Sequence, residues 1–528
     1  MRALHRSPLD MLLIATLAVV LFLCFYDAAM LDPRNVGWLL RGTDNGENAL
    51  GLHAWLNDPV ARGFRTQLLN APEGVSLLFT DSNPLMSLFV WPFAPHGDFQ
   101  IVGPWFLLCL VLHLALARGL LKPHASSPLA LWCGVLLLTL LPTLYSRQLH
   151  ANLSAHWLIL WALWIFASPR RAGDWRWWLA VLTVSAMIHS YLLVMVASIW
   201  GSALIERSVQ DARARLGLAI GAVATLCVIV GIGALLVDGG ALVSSGTFGR
   251  FGMPLDALWN PALPGLSPFL PEHPQAADRQ VEAFQYLGAG LLLLTVAAPF
   301  LSRAAAPAIT ALHRRLLWLA PALLVLTLLA ISRRVDFAGS TLLTVPMSAQ
   351  AMAVVDPVRA SARLFWPVAY VLALWAVTSA YRLSPGRAQL LLAAALTAQV
   401  VDLIPLSAMM RRDASIAQTR AKWLRTPDPR WTAVIARARD VTFMPPDATA
   451  QLDLFQEIAW RAIDAGKPVR LVYAARTNAA TAARLEKEAR DFESGRLAPG
   501  RLYVVLPGVV VPAGQPVTLL DGVRVVMR

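Results

Sequence analysis

Residues 10–29 read DMLLIATLAVVLFLCFYDAA, an apolar run unbroken by charge between Asp10 and Asp27. A helix needs about 20 such residues to cross the hydrocarbon of a bilayer. The basic tip Arg2, His5, Arg6 precedes the run and no small-residue cleavage site follows it, so it predicts a retained first membrane helix, not a signal peptide. Comparable runs recur at 101–121, 128–145, 155–168, 175–188, 190–205, 216–237, 283–302, 316–331, 363–381 and 388–405, with 175–205 read as two helices broken at His189-Ser190. The pattern predicts an α-helical polytopic membrane protein of about 11 transmembrane helices. Composition agrees: 57% of the 528 residues are apolar and 15% charged, and the mean hydropathy is +0.56. Disordered, collagen-like and disulfide-rich secreted classes are excluded. Cys24, Cys109, Cys133 and Cys227 all lie inside apolar runs, where they form neither a disulfide framework nor a zinc finger.

A net charge of +13 would suit a nucleic-acid binder, but the placement of the charge points elsewhere. With these spans, segments 1–9, 118–127, 169–176, 206–215, 303–315 and 382–387 share one side and carry 15 Lys and Arg in 56 residues. By the positive-inside rule that side is the cytoplasm. The outer side then holds the long segments 30–100, 238–282 and 332–362, short turns near 146–154 and 189, and, after an odd number of spans, the tail. From residue 406 helical Ala479–Asp491 alternates with the β-branched runs Val469–Tyr473, Leu502–Leu506 and Val523–Met527. Two domains are predicted: a transmembrane domain, 1–405, with a long outer loop at 30–100, and a small soluble α/β domain, 406–528.

Polar residues able to do chemistry gather on the outer side. Gly42-Thr-Asp44-Asn45 leads into a helical stretch in which Asp44, Glu47 and Asn48 share a face and His53 follows, which predicts an amphipathic helix lying on the membrane surface. Asp44 reads equally as an acidic helix start and as a functional carboxylate. In Thr80-Asp81-Ser-Asn83-Pro84, Asn83 serves as N-cap and Pro84 as first helical residue, while Asp81 has no structural duty at the membrane edge. Arg147, His150 and His156 surround the turn between the third and fourth spans, and His189 and Tyr191 lie in the next outer turn. The histidines match neither a metalloprotease pair nor a finger, so no metal ligand is assigned; they read as partners for sugar hydroxyls or phosphate. Arg359 and Arg363 stand at i and i+4 ahead of Trp366 and are predicted to project from one helical face. Two guanidinium forks so placed suit a phosphate better than lipid snorkelling. Segment 238–282, rich in Gly, Pro and aromatics, reads as an ordered irregular loop. Glu282, Gln285 and Tyr286 then open the next span.

No Walker loop, GxSxG elbow or HExxH motif is present. The long first outer loop with its early acidic motif, the odd span count and the outer carboxy-terminal domain resemble the GT-C superfamily of integral-membrane glycosyltransferases that use polyprenyl-phosphate-linked sugars. More closely, TDSNPL (80–85), HANLSAHWLIL (150–160), HSYLL (189–193), FQYLGAG (284–290), RASARLFWP (359–367) and GRLYVV (500–505) resemble signatures of a bacterial family of GT-C-like proteins without an assigned reaction. The resemblance covers nearly the whole chain. It implies a multi-pass protein of the bacterial inner (cytoplasmic) membrane, N-terminus cytoplasmic and carboxy-terminal domain periplasmic. Its donor would be a lipid-linked sugar reached from membrane lipid, and its acceptor a periplasmic glycan, lipid-linked saccharide or protein, with no nucleic acid involved.

The resemblance also implies an inverting hexosyl- or pentosyltransferase. Asp44 stands where such enzymes place a general base, and Asp81 is the second candidate for that role. Arg359 and Arg363, aided by His150 and His189, would hold the donor phosphate. Glu47, His53, Arg147, His156, Tyr191, Gln285, Tyr286 and Trp366 are candidates for substrate binding. Many members hold a divalent cation (Mg or Mn) through an acidic pair; Asp44 and Glu47 depart from the DxD and ExD spacings, which leaves a cation open. The rival class is a polytopic transporter or flippase of lipid-linked sugars, which would call for ionisable groups near the bilayer midplane.

Overall fold

Apolar runs become helices, and caps and prolines decide where each helix stops. The computed structural model describes residues 8–93, 97–147, 149–237, 243, 246–275, 282–301, 306–474 and 477–528. Ser127 accepts from Ala130 N to start Pro128–Thr139, and Asp174 accepts from Arg176 N to start Trp175–Ala186. His189 caps Ser190–Gln210 by accepting from Tyr191 N, so the break read at His189-Ser190 is a helix start.

Among the described residues, seven helices are long and apolar enough to cross a membrane: Pro8–Phe25, Val102–Leu121, Ser190–Gln210, Ala212–Leu236, Pro307–Ile331, Ser361–Ala380 and Pro385–Thr419. Seven replaces the expected 11. The runs at 128–145, 155–168, 175–188 and 283–302 yield helices of 12, 10, 12 and 13 residues, which reach only about 15–20 Å at 1.5 Å per residue. The first is cut at Pro142, which opens a separate short helix, Pro142–Tyr145. In the last, residues 284–288 approach the helix as irregular chain. Hydropathy counts apolar residues whether or not they are helical.

The outer loop at 30–100 forms the helices Asp44–Asn57 and Pro84–Val90 and a short antiparallel pair, Arg65–Thr66 with Val75–Ser76. Asp44–Asn57 is not a surface helix. Every residue from Asn45 to Trp55 is buried, because the helix Leu452–Asp464 of the carboxy-terminal domain packs over it. His53 bonds Asp464 at 2.8 Å and stacks on Trp460 at 4.0 Å, and Glu47 accepts from Gln456 at 3.3 Å. Burial pushes the Glu47 carboxyl well above its ordinary value.

The carboxy-terminal sheet runs, in spatial order, Asp440–Met444, Arg501–Val505, Val523–Met527, Val517–Leu520. The first pair is parallel, with Thr442 opposite Tyr503; the others are antiparallel, with Tyr503 opposite Val526 and Thr518 opposite Val525. Ala479–Glu493 is helical, as its composition predicts. Val469–Tyr473, read as a strand, makes one bridge to Val441. Its backbone otherwise pairs with the outer loop: Val469 N donates to Leu68 O at 2.8 Å and Ala71 N to Val469 O at 3.0 Å. Arg484 adds an ion pair to Glu73 at 2.7 Å. The domain is thus sewn onto the loop beneath it.

Candidate active site

A cavity of about 520 Å³ lies where the outer loop, the helix starts and the carboxy-terminal domain meet. Asp44, Asp81, His150, His189, Tyr191, Glu282, Arg359, Arg363 and Tyr473 line its polar part, and Phe79, Val237, Phe251 and Pro357 its apolar part.

Asp44 is the first residue of its helix. Thr43 holds the N-cap position without a side-chain hydrogen bond, so the Asp44 carboxylate is not consumed by capping. Gln456 fixes the turn ahead of it, accepting from Gly42 N and donating to Thr43 O, each at 2.9 Å. Gly46 makes room for that side chain, since a Cβ there would lie 2.4 Å from Gln456 Oε1. The Tyr473 hydroxyl donates to Asp44. Burial raises the Asp44 carboxyl, the Asp81 charge adds to the effect, and His150 and Arg363 oppose it.

Asp81 sits at φ +55°, a left-handed conformation that Asp tolerates better than most residues and that functional sites often retain. Its carbonyl accepts from Asn48 Nδ2 at 2.6 Å and Asn152 Nδ2 at 2.8 Å, which pins the turn. Asn83 then caps Pro84–Val90 by accepting from Met86 N at 3.1 Å. The Asp81 carboxylate lies 3.4 Å from His150 Nε2. Burial works to raise it, and His150, His189 and Arg363 overcome that effect and hold it below its ordinary value. His150, for its part, is desolvated but raised on balance by Asp81. His189 is held well below the ordinary imidazole value by burial and by His150, in keeping with its Nδ1 accepting from Tyr191 N at 3.1 Å.

Asp81, His150 and His189 each offer a ligand atom, and these atoms all lie within 4.8 Å of one another. Two imidazoles and a carboxylate form a borderline donor set of the kind that takes Zn or Mn, softer than an all-oxygen Mg site. Sequence spacing gave no sign of this set, because its members come from three separate turns, and His156 is not part of it.

Arg359 and Arg363 reach the same cavity, but not from one helical face. Short turns of 3₁₀ helix cover Asp356–Val358 and Ser361–Phe365, and Ala360 between them, at φ −83° and ψ 57°, breaks the helical register. Glu282 grips Arg363 with both oxygens, at 2.8 and 2.6 Å, and meets Arg147 Nη1 at 3.2 Å. Burial works to raise the Glu282 carboxyl, and the two guanidinium groups instead hold it far below the ordinary carboxylate range. Arg359 forms no side-chain hydrogen bond or ion pair among the described residues and is the free cation on the cavity wall.

The other substrate-binding candidates lie outside the cavity lining. Glu47 and His53 hold the carboxy-terminal domain. Arg147 stands behind Glu282 and over the Trp366 ring at 5.7 Å. Trp366 packs against His156 at 4.1 Å, and His156 bonds the Tyr370 hydroxyl at 2.9 Å. Gln285 donates to Ala362 O at 2.9 Å, and Tyr286 donates to Asp402 at 2.6 Å. Two residues that the sequence does not mark as site residues complete the cavity. Glu282 adjoins a quoted motif, yet its partner lies 81 positions away. Tyr473 ends a run that reads simply as sheet.

The chain belongs to the family described as domain of unknown function DUF6311, whose profile matches residues 15–404; the profile of the DUF6311 C-terminal domain matches residues 430–527. No curated protein matches it. Among solved structures, the chain is similar to the archaeal oligosaccharyltransferase AglB from Archaeoglobus fulgidus in complex with an inhibitory peptide and a dolichol-phosphate. Identity is 13% and the TM-score 0.40, over 94% of this chain and 69% of that one. The apo form of the Archaeoglobus fulgidus oligosaccharyltransferase gives 13% and 0.37, over 88% and 65%.

Proposed function

We propose that this protein is a GT-C type glycosyltransferase that moves a hexosyl or pentosyl group from a polyprenyl-phosphate donor to a periplasmic glycan, lipid-linked saccharide or protein. The observation that carries the reading is a single cavity in which a carboxylate raised by burial, Asp44, faces two guanidinium groups, Arg359 and Arg363, beside an apolar wall. The acceptor hydroxyl attacks the anomeric carbon, the bond from that carbon to the lipid phosphate oxygen breaks, and the hydroxyl proton passes to Asp44. A carboxyl raised toward neutrality suits that task. Arg359 meets the departing phosphate directly, and Arg363, oriented by Glu282, adds positive charge beside it. The apolar flank at Val237, Phe251 and Pro357 is suited to the first units of a prenyl chain. A divalent ion, if the reaction uses one, would be held by Asp81, His150 and His189 and would supply Lewis acidity at the phosphate.

Sidedness follows the charge of the loops: the cavity faces the periplasm across a bacterial inner membrane, with the N-terminus in the cytoplasm. Translocation is the less supported reading, because the buried carboxylate within the last long helix, Asp402, is occupied by Tyr286, Ser267 and Ala289 N and is not available to cargo. The test incubates the purified chain in nanodiscs with radiolabelled polyprenyl-phosphate sugars and candidate acceptors. Release of polyprenyl phosphate with labelled product, reduced at least 100-fold by Asp44→Asn, is the expected result, within the span of about 10²–10⁴ for a lost general base. Equal turnover by both proteins removes Asp44 from the reaction, and lipid movement across vesicles without bond cleavage overturns the transferase reading.

A further inference from the structure

A second cavity, of about 400 Å³, lies at the opposite end of the bundle. The helix Ser190–Gln210 ties the two ends together: Tyr191 lines the candidate active site and Arg207 lines the second cavity, about 24 Å apart along the helix axis. Its volume falls within the range of about 300–1,000 Å³ common to small-molecule sites.

Three helices build it as a wedge. Trp175 and Trp178 come from Trp175–Ala186, Trp200 and Arg207 from Ser190–Gln210, and Gly217 and Gly221 from Arg215–Leu236. At Gly221 the helices touch, since a Cβ there would lie 2.9 Å from Trp175 Cβ. At Gly217, one turn nearer the basic loops, a Cβ would meet nothing within 4 Å. The wedge therefore closes toward the middle of the bundle and opens toward Arg207. Its outer wall, Ala212–Leu236, is only 11% buried, so that helix presents its other faces to lipid.

Among the described residues Arg207 forms no side-chain hydrogen bond or ion pair. Its Nε is shielded from solvent and lacks a hydrogen-bond partner. The neighbouring ions are already matched: Glu206 pairs with Arg315 at 2.6 Å, Arg171 stacks on Trp164 at 3.7 Å and donates to its carbonyl, and Arg215 donates to Ser208 O at 2.8 Å. A shielded N–H donor without an acceptor is costly unless a ligand supplies one. Basic pockets between membrane helices, flanked by interfacial tryptophans, are suited to phosphate headgroups of anionic lipids.

We propose that this wedge binds the phosphodiester of an anionic phospholipid, with Arg207 donating to its phosphate oxygens and Trp175, Trp178 and Trp200 flanking the upper part of its chains. The test needs no glycosyl donor. The purified chain is stripped in detergent and titrated with phosphatidylglycerol, phosphatidylcholine or inorganic phosphate, with bound lipid counted by native mass spectrometry. Phosphatidylglycerol is expected to bind at least tenfold more tightly than phosphatidylcholine. Arg207→Gln and Gly217→Leu are each expected to abolish that preference, the first by removing the cation and the second by filling the open wedge from the opposite wall. Both variants should melt with the wild type in lipid-free detergent, since Glu206–Arg315 is left intact and Gly217 faces space. Should Arg207→Gln fail to fold, Gly217→Leu alone decides. Equal binding of the two lipids, a preference that survives either folded variant, or binding of inorganic phosphate as tight as that of the lipid overturns the proposal.

Discussion

Replacing Glu282 with glutamine probes the electrostatics of the candidate site without any knowledge of its substrate. The carboxylate is shared by Arg363, at 2.8 and 2.6 Å, and Arg147, at 3.2 Å. These side chains are only 10% and 3% exposed. Glu282→Gln keeps the shape and leaves two buried guanidinium groups without a counter-charge. Removing one member of a buried pair costs about 3–5 kcal/mol. Glu282 itself is 23% exposed, so water screens part of the interaction and the expected loss sits near the lower end, at about 3 kcal/mol. Arg147, which burial pushes down to about 10 against the support of Glu282, loses that support. Denaturant unfolding in mixed micelles of wild type, Glu282→Gln, Arg363→Gln and the double variant Glu282→Gln/Arg363→Gln measures the effect. The double variant should lose less than the sum of the single losses, because one stranded charge is gone. A single-variant loss below about 0.5 kcal/mol, or strict additivity, would refute the idea that Glu282 holds these cations. The pH dependence has a fixed sign. Glu282 is depressed in the folded protein, so its contribution is complete above the ordinary carboxylate pKa and fades only as the pH falls through that value toward the folded one.

Tyr473→Phe deletes the hydroxyl that bonds Asp44 and should lower kcat by about 10-fold or more with little change in KM, a charged hydrogen bond being worth about 1.5–3 kcal/mol; steady-state kinetics with the donor lipid would read the split, and unchanged kcat would exclude the role. The acid limb of the rate profile should lie above the ordinary carboxylate range, because Asp44 must be ionised to act and burial raises it. Gly51→Ala places a Cβ 2.1 Å from Thr80 Oγ1 and 2.3 Å from Ser82 Oγ, so thermal unfolding should show a loss of about 1–3 kcal/mol from overpacking beside the Asp81 turn.

Helix positions were legible because twenty apolar residues admit few other structures, and the His189 break was legible because a polar dipeptide interrupts a continuous run. The number of helices long enough to span on their own was not, since Pro142 and the irregular entry at residues 284–288 shorten helices without altering their hydropathy. Within the site, Asp44, Asp81, His150, His189, Arg359 and Arg363 were legible as polar residues where apolar ones would be cheaper. Glu47, His53, His156 and Gln285 carry the same signal for a different reason: they satisfy buried partners in another domain or on a neighbouring helix. A single sequence gives no measure of which use applies. The pairings that define the cavity, Glu282 with Arg363 and Tyr473 with Asp44, join segments far apart in the chain. They arise from how the domain lies on the loop, which no local pattern encodes.

The order of the chain gives that arrangement a temporal meaning. All the long apolar helices precede residue 420, whereas the group that bonds Asp44 is borne by residue 473, and the glutamine that clamps Gly42 and Thr43 by residue 456. During synthesis the bundle is therefore assembled before its pocket is finished. A partly made protein, or one clipped between the two domains, would carry its helices with the pocket left unroofed, and the last quarter of the polypeptide is what closes it.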